Sequence, residues 1–260
     1  MKDLNFKKII KGVIGLGLLV APIIVLSANT RVTNVVRASA QYWSHADATQ
    51  ARIDDDWTEE FWYKANSPPD PSYGFIHRQR SGENGVGVAI YRSSVNGDQI
   101  VICTGAGAFA CDQGAGGTGI AKTIDTNWHH IRLQWVTETA RVWIDGVQTN
   151  LTNDNQTAIT PPNSLLAIGC DEGGTQCFNG QIDDFRIWNT WRATSTLSDR
   201  FCELTGNEPG LQFYLKFNGN GIDSSGKMTA FTNNNTATFP PNVPFEKSSC
   251  KGGPMIIQDL

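Results

Sequence analysis

The 260-residue chain carries no excess of basic charge: 21 Lys and Arg stand against 25 Asp and Glu, giving a net charge of −4 and a pI near 5.5. Without a basic stripe there is nothing to release counterions from a phosphate backbone, so nucleic acid is excluded as a partner. No C-x-x-C pair occurs among the six cysteines, which removes the usual zinc frameworks. No repeat and no heptad is present, and the stretch Trp128–Trp188 holds no nucleophile motif, phosphate loop or metal cage. Beyond the first thirty residues no apolar run is long enough to span a bilayer.

The N-terminus is read as a signal peptide over residues 1–28. Lys2, Lys7, Lys8 and Lys11 make a basic leader before the apolar run Gly12 to Leu26, and Ser27-Ala28 supplies a small-residue cleavage site. The alternative is an uncleaved anchor, which would be the one contact with a membrane. Secretion or display at the cell surface then gives an even number of cysteines an oxidising compartment. Nearest-neighbour spacing pairs Cys103 with Cys111, Cys170 with Cys177 and Cys202 with Cys250.

The rest is a succession of short strands broken by turn residues. In WTEEFWYKA, Phe61 and Tyr63 share one face while Glu60, Trp62 and Lys64 take the other. GFIHRQR, VGVAIYR and DQIVICT form a meander between SGENG and SSVNG, followed by a glycine-rich loop from Gly105 to Gly119. Ile131, Leu133 and Trp135 alternate with His130, Arg132 and Gln134, and Asp145-Gly146 predicts a hairpin turn after Val142 and Ile144. TSTLSDRFCEL is the single expected helix, capped by Ser195 or Thr196. An edge strand is expected over Val32 to Trp43, a further strand over LQFYLKF, and a disordered tail over residues 251–260. Strands at this spacing predict an all-β, antiparallel two-sheet sandwich.

WHHIRLQW, RVWIDG, LAIG and FNGQIDDFRIWN, in that order, resemble the concanavalin A-like lectin/glucanase superfamily, in its bacterial laminin-G-like, pentraxin-related branch. SAQYWSHADATQARIDDDWTEEFWYKA upstream and GLQFYLKFNGNGIDSSGK downstream look like that family's opening and closing strands. The resemblance implies one jelly-roll domain over residues 31–247.

Glucanases of that superfamily place acidic residues at alternating positions of one strand. Here Asp183 and Asp184 are adjacent, as are Glu59 and Glu60, and adjacent strand residues point to opposite faces. The chain is therefore expected not to be an enzyme. His129-His130 is expected to be structural for the same reason. Asp183 is in phase with Phe185 and Ile187, hence inward, and the resemblance permits a structural calcium there, with Asp47 or Asp54–Asp56 contributing. The alternative is that Asp183 caps turn amides near Gly180. The outward set Trp62, Trp143, Trp188, Arg132 and Arg186, with Tyr214 and Arg141, suits a sugar-binding platform. Asn150, Asn155 and Asn234 match the N-glycosylation acceptor pattern. The expected function is non-catalytic recognition of carbohydrate or of an extracellular protein. The alternatives are a structural module of the cell envelope or an appendage, and, more remotely, a divergent glycoside hydrolase.

Overall fold

The computed structural model describes residues 41–46, 56–66, 74–81, 84–93, 97–105, 118–121, 124–136, 139–149, 165–240, 244 and 248–249. The signal peptide, the tail over 251–260, the side chains of Cys103 and Cys111, Cys250, Asn150 and Asn155 lie outside the described residues.

Two antiparallel sheets face each other as a jelly-roll sandwich. The first contains β2 (Trp57–Ala65), β7 (Trp128–Val136), β8 (Thr139–Ile144), β9 (Val147–Thr149), β11 (Gly180–Trp188) and β13 (Leu211–Leu215), in the order β13-β11-β2-β7-β8-β9. The second contains β1 (Tyr42–His45), β3 (Gly74–Ser81), β4 (Asn84–Ser93), β5 (Gly97–Gly105), β6 (Thr118–Ala121), β10 (Leu166–Ile168) and β14 (Thr232–Asn234), in the order β14-β1-β10-β3-β4-β5-β6. A short parallel pair, β12 (Cys202–Glu203) with β15 (Ser248–Ser249), stands apart from both.

The core follows from the alternation. Trp57, Phe61 and Tyr63 of β2 meet Ile131, Leu133 and Trp135 of β7 on the inner face, with Phe185 and Ile187 of β11 and Phe213 and Leu215 of β13 beside them. Ile76, Val88, Ile102, Leu166 and Ile168 close it from the opposite sheet. Phe61 and Phe185 stack with centroids 5.4 Å apart, pinning β2 to β11. Each fully buried side chain of this size stabilises by about 1.5–3 kcal/mol. The Asp145-Gly146 turn has φ of 53° and 85°, the two left-handed residues of a type I′ hairpin.

Some expectations are corrected. Of the edge strand expected over Val32 to Trp43, residues 32–40 lie outside the described residues; its described end belongs to β1, which is not an edge, because β14 pairs with it on its outer side. The predicted helix is a 3-10 helix, Thr194–Phe201, that begins after Ala193 without a side-chain cap. Thr196 instead turns its hydroxyl back to the Ala193 carbonyl at 2.7 Å. Phe217 leaves the alternation of its strand, since β13 ends at Leu215 and Phe217 has a φ of 52°. The Cys170–Cys177 disulfide is present as expected. Asp171 accepts from the Thr175 and Gln176 amides at 2.6 and 3.0 Å inside that small loop. Cys202 is disulfide-bonded.

Candidate functional site

The outer face of the six-stranded sheet is polar, and it is covered. Thr58, Glu60 and Trp62 of β2, His130, Arg132 and Gln134 of β7, Arg186 and Trp188 of β11 and Tyr214 of β13 stand on it. The chain leaving β11, Asn189 through Leu204 with its 3-10 helix, lies across them and supplies backbone carbonyls. Gln134 donates to the Arg192 carbonyl at 2.7 Å, Arg132 to that of Thr196 at 2.9 Å, and Trp62 Nε1 to that of Arg200 at 3.0 Å. Arg186 donates to the carbonyls of Asp199 and Cys202 at 3.1 and 2.6 Å.

Glu60 is the hub. Its carboxylate accepts from Arg132 at 2.8 Å, from Trp188 Nε1 at 3.2 Å and from Arg186 at 3.5 Å, all buried. Burial alone would raise this carboxyl, but the Arg132 and Arg186 guanidiniums outweigh it and hold it at about 2. Burial lowers the Arg186 guanidinium, while Asp184 and Glu60 more than reverse that and lift it above its ordinary value. Burial pushes His130 down to about 3, so this imidazole stays neutral beside Trp62. Burial, then the Asp184 charge, raises the Tyr214 phenol, and its hydroxyl donates to Asp184. Asp184 also pairs with Arg186.

A β-bulge between Asp183 and Arg186 overturns the phase assigned to Asp183. Asp183 sits opposite Trp62, and Trp62 belongs to the covered outer face, so Asp183 does too. The extra residue is Asp184, with a φ of 58°. Both carboxylates therefore lie on one side, and adjacency does not separate them as simple alternation requires. What occupies Asp184 is its pairing with Arg186 and Tyr214. Asp183 accepts from the Asp184 amide at 2.9 Å. Asp47, Asp54 and Asp55 lie outside the described residues. Among the described residues no three His, Cys, Asp or Glu side chains are grouped to hold a metal.

The five platform residues are brought together as expected in one respect. Trp62, Arg132, Arg186 and Trp188 surround Glu60, and Trp143 is the register partner of Arg132. They are not an open surface: all five are buried, and the Asn189–Leu204 segment roofs Trp62, Arg132, Arg186 and Trp188. His129 and His130 are separated as adjacent strand residues should be. His129 lies between Asp145 at 2.8 Å and Asp125 at 2.9 Å.

Sequence reasoning passed over three features. Glu60 was legible as an outward carboxylate in phase with Trp62, and its hub role depends on two arginines from other strands. Glu59 points inward and meets His77 of the opposite sheet at 3.0 Å, both wholly buried. Trp191, in the loop after β11, is 50% exposed, alone among the tryptophans of the described residues. An indole outside any alternating run gives no signal of its direction.

The family model for the concanavalin A-like lectin/glucanases superfamily, Laminin_G_3, matches residues 37–198. A proposed carbohydrate-binding protein from Bacteroides ovatus superposes with a TM-score of 0.57 at 17% identity, over 78% of this chain and 60% of that one. This chain thus spans about 60% of the length of that protein. A heptameric SAP-like pentraxin from Limulus polyphemus superposes with a TM-score of 0.50 at 14% identity, over 78% of this chain and 89% of that one. No curated protein sequence matches.

Proposed function

We propose that this chain, which belongs to the concanavalin A-like lectin/glucanases superfamily, is a secreted or surface-displayed module that binds carbohydrate without cleaving it. The observation that carries the non-catalytic reading is the state of the acids on the outer sheet face. Glu60 and Asp184 are each tied into arginine pairs beneath a covering segment. A glycosidase needs two carboxyl groups roughly 5–9 Å apart in a cleft that admits a sugar and, in inverting enzymes, a water. Carboxylates locked to guanidiniums under a roof do not serve that chemistry.

Recognition of carbohydrate is supported by the fold shared with the Bacteroides protein. The Cys170–Cys177 disulfide and the basic-then-apolar leader support export. The wild-type protein is expected to bind oligosaccharides on a glycan array and to release no reducing sugar from the same ligands. Reducing-sugar release by the purified wild type would make the chain a hydrolase and end this reading.

One observation favours a second reading, an assembly module. β9 is the outermost strand of its sheet, and its Val147 is 69% exposed. Sedimentation equilibrium decides it, since a monomer at tens of micromolar removes assembly through that edge.

A further inference from the structure

We infer that Trp191 is the sugar-stacking platform of this chain, and that its ligand is a neutral pyranose; this rests on the carbohydrate-binding reading above. Three observations point there. First, the backbone on both sides of Trp191 is held by buried groups of the sheet. Thr58 Oγ1 donates to the Thr190 carbonyl at 2.9 Å and accepts from the Arg192 amide at 3.1 Å. The Arg192 carbonyl accepts from Gln134 at 2.7 Å, and Asn189 donates its amide to the Gly210 carbonyl at 2.9 Å.

Second, the face of Trp188, three residues earlier, is already covered by the Arg192 guanidinium, 3.8 Å from the ring centroid. Trp191 is therefore presented to solvent by a rigid loop rather than left there by a loose one. A preorganised aromatic costs little ordering entropy when a ligand arrives.

Third, the charges beside it are spent. Arg192 pairs with Asp199, and Glu208 of the abutting loop is used by the Thr205 and Gly206 amides. An exposed indole two residues from the exposed amide of Asn189 matches a pyranose. Its axial C–H face stacks on the ring while its hydroxyls reach the amide. Lys227 is turned to the Leu211 carbonyl, and the chain's net charge of −4 opposes a polyanion.

The test uses an array of neutral hexose, pentose and N-acetylhexosamine oligosaccharides alongside uronate and sulfated ones. The strongest binder is then titrated calorimetrically with wild type, Trp191→Ala, Trp191→Phe and, as a remote control, Ile222→Ala. The expected result is a neutral best ligand, at least a tenfold loss for Trp191→Ala, retention within about threefold for Trp191→Phe and no change for Ile222→Ala. The Tm of Trp191→Ala should stay within a few degrees of wild type, because Trp191 is half exposed and lies outside the buried core clusters. Unchanged affinity in Trp191→Ala would overturn the platform and leave the carbohydrate reading standing. A strictly acidic ligand would overturn the neutral class. Absence of any glycan binding by wild type would remove both.

Discussion

Glu60 and His130 occupy the same covered layer and titrate for opposite reasons. Glu60 sits at about 2 in the folded chain because two guanidiniums favour its charged form. A folded pKa below the unfolded value contributes stability that is present above the unfolded pKa and lost as pH falls. For Glu60 that loss runs from about pH 5 to about pH 2, and amounts to about 3 kcal/mol. His130 is also depressed, to about 3, but by burial, and its unfolded value is near 6.5. Its loss therefore begins earlier, at about pH 6.5, as the unfolded chain takes a proton that the folded chain refuses. His130→Gln is expected to flatten the stability profile between about pH 6.5 and 4.5 and to leave the steep fall below it, as urea midpoints across that range would show. Glu60→Gln leaves Arg132 and Arg186 short of a counter-charge under the cover. It is expected to cost about 3–5 kcal/mol at neutral pH.

At the scale of elements, period-two alternation carried most of what could be read. β2, β7, β8 and β13 bury the side chains their patterns assign to the core, because a one-residue slip would turn every one of them outward. The Asp145-Gly146 hairpin was equally legible, since few residue pairs other than Asx-Gly accept two positive φ values. The bulge in β11 was not. Nothing in QIDDFRIW marks which residue is inserted, and the partner that absorbs Asp184 comes from Tyr214, thirty residues later. Nor does the alternation of Trp62 and Trp188 say that a later segment will roof them, which is why an outward aromatic row read as a platform. Turn glycines allow a direct comparison. A Cβ on Gly206, at φ 98°, would lie 1.9 Å from the Ser224 carbonyl oxygen, whereas one on Gly226, at φ 68°, would meet nothing within 4 Å. Gly226→Ala is expected to cost about 1–2 kcal/mol, the left-handed backbone strain alone. Gly206→Ala adds a backbone clash and should lower the Tm well beyond that; equal Tm values would show that the loop shifts freely.

Across the whole molecule, the two sheets meet through a largely apolar interior that, among the described residues, also holds a buried carboxyl facing a buried imidazole. Glu59 projects from β2, in register with Leu133 and Ile187, and faces His77 of β3, which is in register with Val88 and Ile168. Trp57 and Gln79 lie two residues away along the same strands and faces. The four are almost fully buried. Glu59 and His77 approach to 3.0 Å but are not aligned as a hydrogen bond, and Trp57 Nε1 and both Gln79 amide atoms also lack one. Glu60, Arg132, Asp184 and Arg186 all stand on the far side of the six-stranded sheet. Among the described residues Glu59 with His77 is the acid–imidazole crossing between the sheets, and it stabilises poorly compared with what could fill the same volume. Removing one partner strands the other in an apolar core, at about 3–5 kcal/mol, whereas replacing both restores a continuous core. Glu59→Leu and His77→Leu are thus each expected to lower the urea midpoint sharply, while the double variant should lie close to wild type or above it. The coupling energy between the two sites should exceed about 2 kcal/mol. Additive losses would mean that each side chain is held by its own sheet, and that the crossing does not determine how the sheets face one another.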